Sequence, residues 1–201
     1  CITFVYYGST RGWEITSNLK ANIVDTGHIA LKGYVMGGAT TAVIEDLIFA
    51  NETSQTITAT LDTAKYAGTG VNSSSKGYYM GGYSSTNTAV IEDLIFADET
   101  SQPITATLNT ANRGGAGVNS SLKGYSLGGN TATYTAVIED LIFADETSQT
   151  ITATLDSAKR YGAGVNSSLK GYIMGGGTST YTAVIEDLIF ADETSQSIIA
   201  T

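Results

Sequence analysis

Val137-Ile138-Glu139-Asp140-Leu141-Ile142-Phe143-Ala144 is one of four near-identical copies of a phrase that places Ile44, Ile91, Ile138 and Ile185 at a constant step of 47 residues. Side chains alternate sides along a strand, and this phrase is apolar at positions of both parities, so both faces of the strand carry apolar groups. Such a strand needs cover on two sides. Working outward, Lys-Gly-Tyr-x-x-Gly-Gly begins at Lys32, Lys76, Lys123 and Lys170, and Gly-Val-Asn-Ser-Ser begins at Gly70, Gly117 and Gly164. The chain is therefore read as tandem copies of one unit.

The last unit divides into four strands: about Ala163–Ser167, then Lys170–Met174 ending in Gly175-Gly176, then Ala183–Ala191, then Ser195–Ala200. Four short strands make a small antiparallel sheet that cannot bury both faces alone, so neighbouring sheets must stack on it. A period near 47 residues with four strands predicts an all-β propeller built from four-stranded antiparallel blades, whereas a β-helix coil is roughly half that length. The whole of 1–201 is taken as one domain, with a degenerate half repeat at 1–22 and units at 23–63, 64–110, 111–157 and 158–201. Ile2–Tyr7 and Glu14–Leu19 read as a worn copy of strands three and four. Four units and a half do not close a ring neatly. Either the half unit packs on a four-bladed ring, or a second chain or missing sequence completes a larger one, since an exposed edge invites strand pairing. Pro103 fits an outer fourth strand, where a missing N–H is tolerated.

Composition supports this reading. Glycine is abundant at 23 residues and proline is nearly absent at one, the balance of many strands joined by tight turns. The formal charge of −9 argues against nucleic acid or anionic lipid as a partner, since both need clustered cations. No apolar run approaches the ~20 residues needed to span a bilayer as a helix. The single cysteine, Cys1, excludes an intramolecular disulfide and a cysteine-built zinc site. A cysteine in first position also occurs in processed bacterial lipoproteins, but without a lipobox in view an arbitrary boundary is the reading.

Three segments carry a resemblance. Lys159-Arg160-Tyr161-Gly162-Ala163-Gly164, the double glycine of Gly171-Tyr172-Ile173-Met174-Gly175-Gly176, and the turn Phe190-Ala191-Asp192-Glu193-Thr194 resemble kelch repeats, with equivalents in the other units. The fourth strand departs from that pattern, carrying Ile57, Ile104, Ile151 and Ile198 where kelch units usually carry Trp; Trp13 stands in the degenerate segment. The resemblance implies a kelch-like propeller. It extends to repeat arrays of bacterial surface proteins and phage tail-associated proteins, which implies an extracellular, cell-surface or virion setting. Galactose-oxidase-like kelch enzymes need copper held by histidines and a Cys-linked tyrosine, and one histidine, His28, does not supply them. Sialidase-type propellers need an arginine cluster, but Arg11, Arg113 and Arg160 stand in three different units.

No catalytic set emerges from the residues themselves. His28 has no spaced nucleophile motif to complete a triad. The Glu-Asp pairs, such as Glu139-Asp140, recur in every unit and point to opposite faces of a strand, which marks them as structural. The acidic turns Asp98-Glu99, Asp145-Glu146 and Asp192-Glu193 lack the dense oxygen spacing of a calcium loop and are read as solvated. The double glycines precede a strand and not a helix, so they are turns and not a phosphate loop. No catalytic residue, metal site or cofactor is assigned.

Differences between near-identical copies fall in two loops: between strands two and three, and between strands four and one. Successive connections of an antiparallel sheet alternate sides, so these two loops share one face of the stack. That face carries Tyr66, Tyr83, Arg113, Tyr134, Arg160, Tyr161 and Tyr181 among Thr, Ser and Asn. Aromatic rings with hydroxyl and guanidinium donors suit sugar rings or a protein surface. The expectation is a non-enzymatic binding or adhesion module for a glycan or protein partner, with multivalent weak contacts around one face. Its rival is a structural protein that self-assembles into an oligomer or filament through open blade edges.

Overall fold

The computed structural model describes residues 4–6, 13–15, 32–39 and 41–198. His28, Arg11 and Cys1 lie outside them, as does most of the predicted half repeat. Within that segment β1 (Phe4–Tyr6) and β2 (Trp13–Ile15) pair antiparallel, Phe4 opposite Ile15.

Every other described strand belongs to a series of antiparallel sheets, and no helix occurs among the described residues. The first sheet holds β3 (Lys32–Gly38), β4 (Thr41–Ile48) and β5 (Thr53–Thr60). The second holds β6 (Thr69–Asn72), β7 (Lys76–Met80), β8 (Val90–Ile95) and β9 (Thr100–Thr107). The third holds β10 (Ala116–Asn119), β11 (Lys123–Asn130), β12 (Tyr134–Ile142) and β13 (Thr147–Thr154). The fourth holds β14 (Ala163–Asn166), β15 (Lys170–Met174), β16 (Ile185–Ile189) and β17 (Thr194–Ile198). Strands run in sequence order within each sheet, and the last unit's predicted strands match β14–β17 to within a few residues at each end.

The register repeats as well. Tyr78 faces Asp93, Tyr125 faces Asp140 and Tyr172 faces Asp187 across the second and third strands of successive sheets. Pro103 sits on the outer strand β9 opposite Glu92, where the ladder shifts register.

Each sheet has a forward face toward the next sheet and a backward face toward the previous one. Val71, Tyr78, Met80 and Ile91 on the forward face of the second sheet form one buried cluster with Leu141 from the backward face of the third. The next junction repeats this with Val118, Tyr125, Leu127, Ile138 and Leu188. The two-sided apolar strand thus receives the double cover its sequence demands. Burying each such side chain contributes roughly 1.5–3 kcal/mol.

Glycine sets how closely sheets approach. A Cβ on Gly117 would stand 3.0 Å from the Gly70 carbonyl carbon and still closer to its oxygen; one on Gly164 would meet Gly117 in the same way. The innermost strands therefore stack backbone on backbone. The double glycines act differently: Gly128 and Gly129 hold φ of 66° and 120°, conformations a side chain resists.

Among the described residues, the stack is open at both ends. Met174 is 39% exposed where its equivalent Met80 is 1%, and Leu47 is 42% exposed where Leu94 is fully buried.

Candidate functional site

Two kinds of polar cluster arise from the repeat. The first clamps sheets together. Lys76 and Tyr78 are two apart on β7 and so share its forward face. Lys76 Nζ lies 2.7 Å from Asp93 of its own sheet and 2.6 Å from Glu146 Oε1 in the β12–β13 turn of the next, while the Tyr78 hydroxyl donates to that same Glu146 oxygen at 3.1 Å. Lys32, Asp46, Tyr34 and Glu99 repeat the arrangement one sheet earlier. Lys123, Asp140, Tyr125 and Glu193 repeat it one sheet later. Each Tyr also stacks on a Phe of the next sheet: Tyr34 on Phe96, Tyr78 on Phe143 and Tyr125 on Phe190, with centroids 5.4, 5.5 and 5.5 Å apart.

These neighbours reshape the charges. Burial works against the Lys76 ammonium, but the Asp93 and Glu146 carboxylates outweigh it and hold its pKa above the usual range. Burial, then the Glu99 hydrogen bond, push the Tyr34 hydroxyl from 10.0 up to about 12. The Lys32 hydrogen bond, opposed by burial, holds Asp46 below the normal carboxylate range. The reading of the acidic turns as solvated is corrected here. Asp98, Asp145 and Asp192 do cap their own turns, each accepting from a Thr two residues on. The Glu beside each of them, at φ near 54° in the turn, reaches across to the preceding sheet.

The Glu of each Glu-Asp pair points the other way, as alternation requires. Glu92 pairs with buried Lys65 and Glu186 with buried Lys159, each cation arriving on the linker from the preceding sheet. Glu92 and Glu186 also accept the backbone N–H of Asp62 and Asp156. The middle junction lacks the cation: Asn112 occupies the place of Lys65 and Lys159, and Glu139 is buried with the Asn109 N–H at 2.6 Å. Desolvation, partly offset by backbone hydrogen bonds, raises the Glu139 pKa above 4.5. Below 4.5 the group is protonated in both folded and unfolded chains. As pH rises past that value the unfolded chain ionises first, so the folded state loses stability until the raised folded pKa is passed. Asn112→Lys should supply the missing cation, abolish this decline, and raise Tm at neutral pH by about 2–4 °C for a gain of about 1 kcal/mol. Thermal melts of both proteins across acidic to neutral pH check this.

The second cluster lies on the variable loops, and it brings six of the seven predicted binding residues together in two groups. Tyr66 and Tyr83 exchange backbone hydrogen bonds at 3.1 and 2.9 Å, joining a linker to a two-to-three loop on one face. Their rings meet edge-on at 5.6 Å, and the Arg113 guanidinium, arriving on the next linker, lies 4.3 Å from the Tyr83 centroid. One junction later Arg160 lies 5.1 Å from the Tyr134 centroid and 4.7 Å from that of Tyr161. Tyr161 is held at φ 59°, a costly conformation for a bulky residue, and is half exposed. Arg113 Nε is buried with no hydrogen-bond partner among the described residues. Tyr181 stands apart, 89% exposed and bridged through its backbone to Gly177 in the same loop.

The opposite face carries a feature that sequence reasoning passed over. A cavity of about 1200 Å³ is lined by the turn residues Asn72, Ser73, Asn119, Ser120, Asn166 and Ser167, with Lys32, Tyr34 and Glu99 at one end. Its serines are engaged in their own turns, Ser73 Oγ accepting the Lys76 N–H at 3.0 Å and Ser120 Oγ the Lys123 N–H at 3.1 Å. Because these turns are constant between copies, they read as framework; the signal that marks them is that one identical polar turn per sheet must fall at one end of a stack. No known family pattern and no curated protein matches the chain.

Proposed function

We propose that the chain is a segment of a kelch-like β-propeller and serves as a non-enzymatic binding module, taking a glycan or a protein through the Tyr–Arg loop face. The observation that carries this is the convergence of Tyr66, Tyr83 and Arg113, and again of Tyr134, Arg160 and Tyr161, from separate loops onto one face. Sheets ordered by sequence and left-handed double glycines support the propeller reading. The buried Lys, Asp and Glu side chains are spent on joining sheets, which supports binding over catalysis. Two like clusters one repeat apart favour an extended ligand with repeating groups, gripped by stacking and by guanidinium donors. Such a partner fits an extracellular or virion surface.

A glycan array followed by titration of the best binder tests the proposal. Tyr83→Ala and Arg113→Ala should each weaken binding about tenfold, the loss of roughly 1.4 kcal/mol of contact. Binding that ignores both substitutions and is lost in Asn119→Leu would move the site to the cavity on the other face. Absence of binding to any glycan or protein surface would overturn the reading.

A further inference from the structure

Among the described residues, the two end faces of the stack are uncovered, and they are the two halves of a junction that the chain already builds internally. On the forward face of the fourth sheet, Lys170 keeps its own Asp187 at 2.6 Å, yet among the described residues neither it nor Tyr172 has the next-sheet glutamate that Lys76, Tyr78, Lys123 and Tyr125 all have. Beside them Val165 is 45% exposed, where its equivalent Val118 is buried against Gly171 of the next sheet. On the backward face of the first sheet, Leu47 and Phe49 are exposed where Leu94 is buried and Phe96 is stacked. Glu52, in the β4–β5 turn, has no cation partner among the described residues and is exposed. It nevertheless holds φ 55°, matching Glu99, Glu146 and Glu193 at 54°, 53° and 54°. The turn is set for a partner before the partner arrives.

We propose that a second copy of this chain docks head to tail, its first sheet seated on the fourth sheet of its neighbour. Glu52 then bridges Lys170 and Tyr172, Phe49 stacks on Tyr172, and Val165 packs over Gly33, each contact reproducing one found between successive sheets. The occupant is identified by complementarity: the forward face meets a backward face of this same composition at every internal junction. The uncovered surfaces are sheet faces, so the association is by stacking and not by strand pairing along an edge. A contact between unlike surfaces leaves a free half at each end, so it continues to a filament or closes into a ring. This goes beyond the ligand reading and does not rest on it.

Light scattering of the full chain over a wide concentration range tests it. The mass should rise with concentration from 20.9 kDa in whole multiples. Val165→Glu and Leu47→Glu place a charge on opposite faces at exposed positions where folding tolerates it, which circular dichroism checks. Each variant alone should stay at the monomer mass, its association weakened at least tenfold. Mixed in equal amounts they should give a dimer and nothing larger, since one intact face remains on each. A wild-type chain that stays monomeric throughout, its end faces covered by residues 1–31 or left bare, overturns the proposal. So does an assembly that either substitution leaves unchanged.

Discussion

Gly117→Ala should destabilise the protein by about 3 kcal/mol, while Gly70→Ala at the equivalent position should change stability by less than 1 kcal/mol. Both glycines lie on the innermost strand of their sheets, and neither has a left-handed backbone, so the contrast is one of space alone. A methyl on Gly117 points at the Gly70 carbonyl and would stand 3.0 Å from its carbon, nearer still to its oxygen. Backbone cannot rotate out of the way as a side chain end does, so the second and third sheets must separate. Separation loosens the cluster of Val71, Tyr78, Met80, Ile91 and Leu141 and lengthens the Lys76–Glu146 contact. Among the described residues, a methyl on Gly70 meets nothing within 4 Å. Thermal or urea unfolding of the two variants side by side is the measurement. Equal effects would show that the glycine row does not set the spacing of the sheets.

Strand positions were legible because the period-two pattern, the double glycines and the Asn-Ser-Ser turns punctuate each unit locally. The sharing of one face by the two variable loops was legible too, since it follows from alternation alone, and Tyr66 and Tyr83 do meet there. The stacking partners were not. Lys76 and Glu146 are 70 residues apart, and every Lys-Gly-Tyr phrase equals every other, so nothing in the text says which copy pairs with which. Only the offset between sheets decides that Glu146 reaches Lys76, and the offset is a property of packing. For the same reason the acidic turns looked free: a turn at the end of a hairpin is solvated unless another sheet lies beneath it. The cavity escaped because its lining comes from several units, none of which is concave by itself.

The internal copies also turn one substitution into a controlled experiment. Lys159→Ala should cost about 3–5 kcal/mol, because it leaves the Glu186 carboxylate charged and enclosed between the third and fourth sheets. Lys159 is 1% exposed and Glu186 fully buried, so water cannot replace the lost ammonium. The Asp156 N–H at 2.5 Å remains as a donor to Glu186, which is too little to solvate a whole charge. Lys159→Met combined with Glu186→Gln should recover most of the loss: it removes both charges, fills the volume and keeps an acceptor for the Asp156 N–H. Contacts in a stack of sheets run mainly between neighbours, so the damage should concentrate at one end. Hydrogen exchange in the Ala variant should speed up across β14–β17 while β6–β9 stay protected. A Lys159→Ala protein within 1 kcal/mol of wild type, with exchange across β14–β17 unchanged, would show that this buried pair does not hold the third and fourth sheets together.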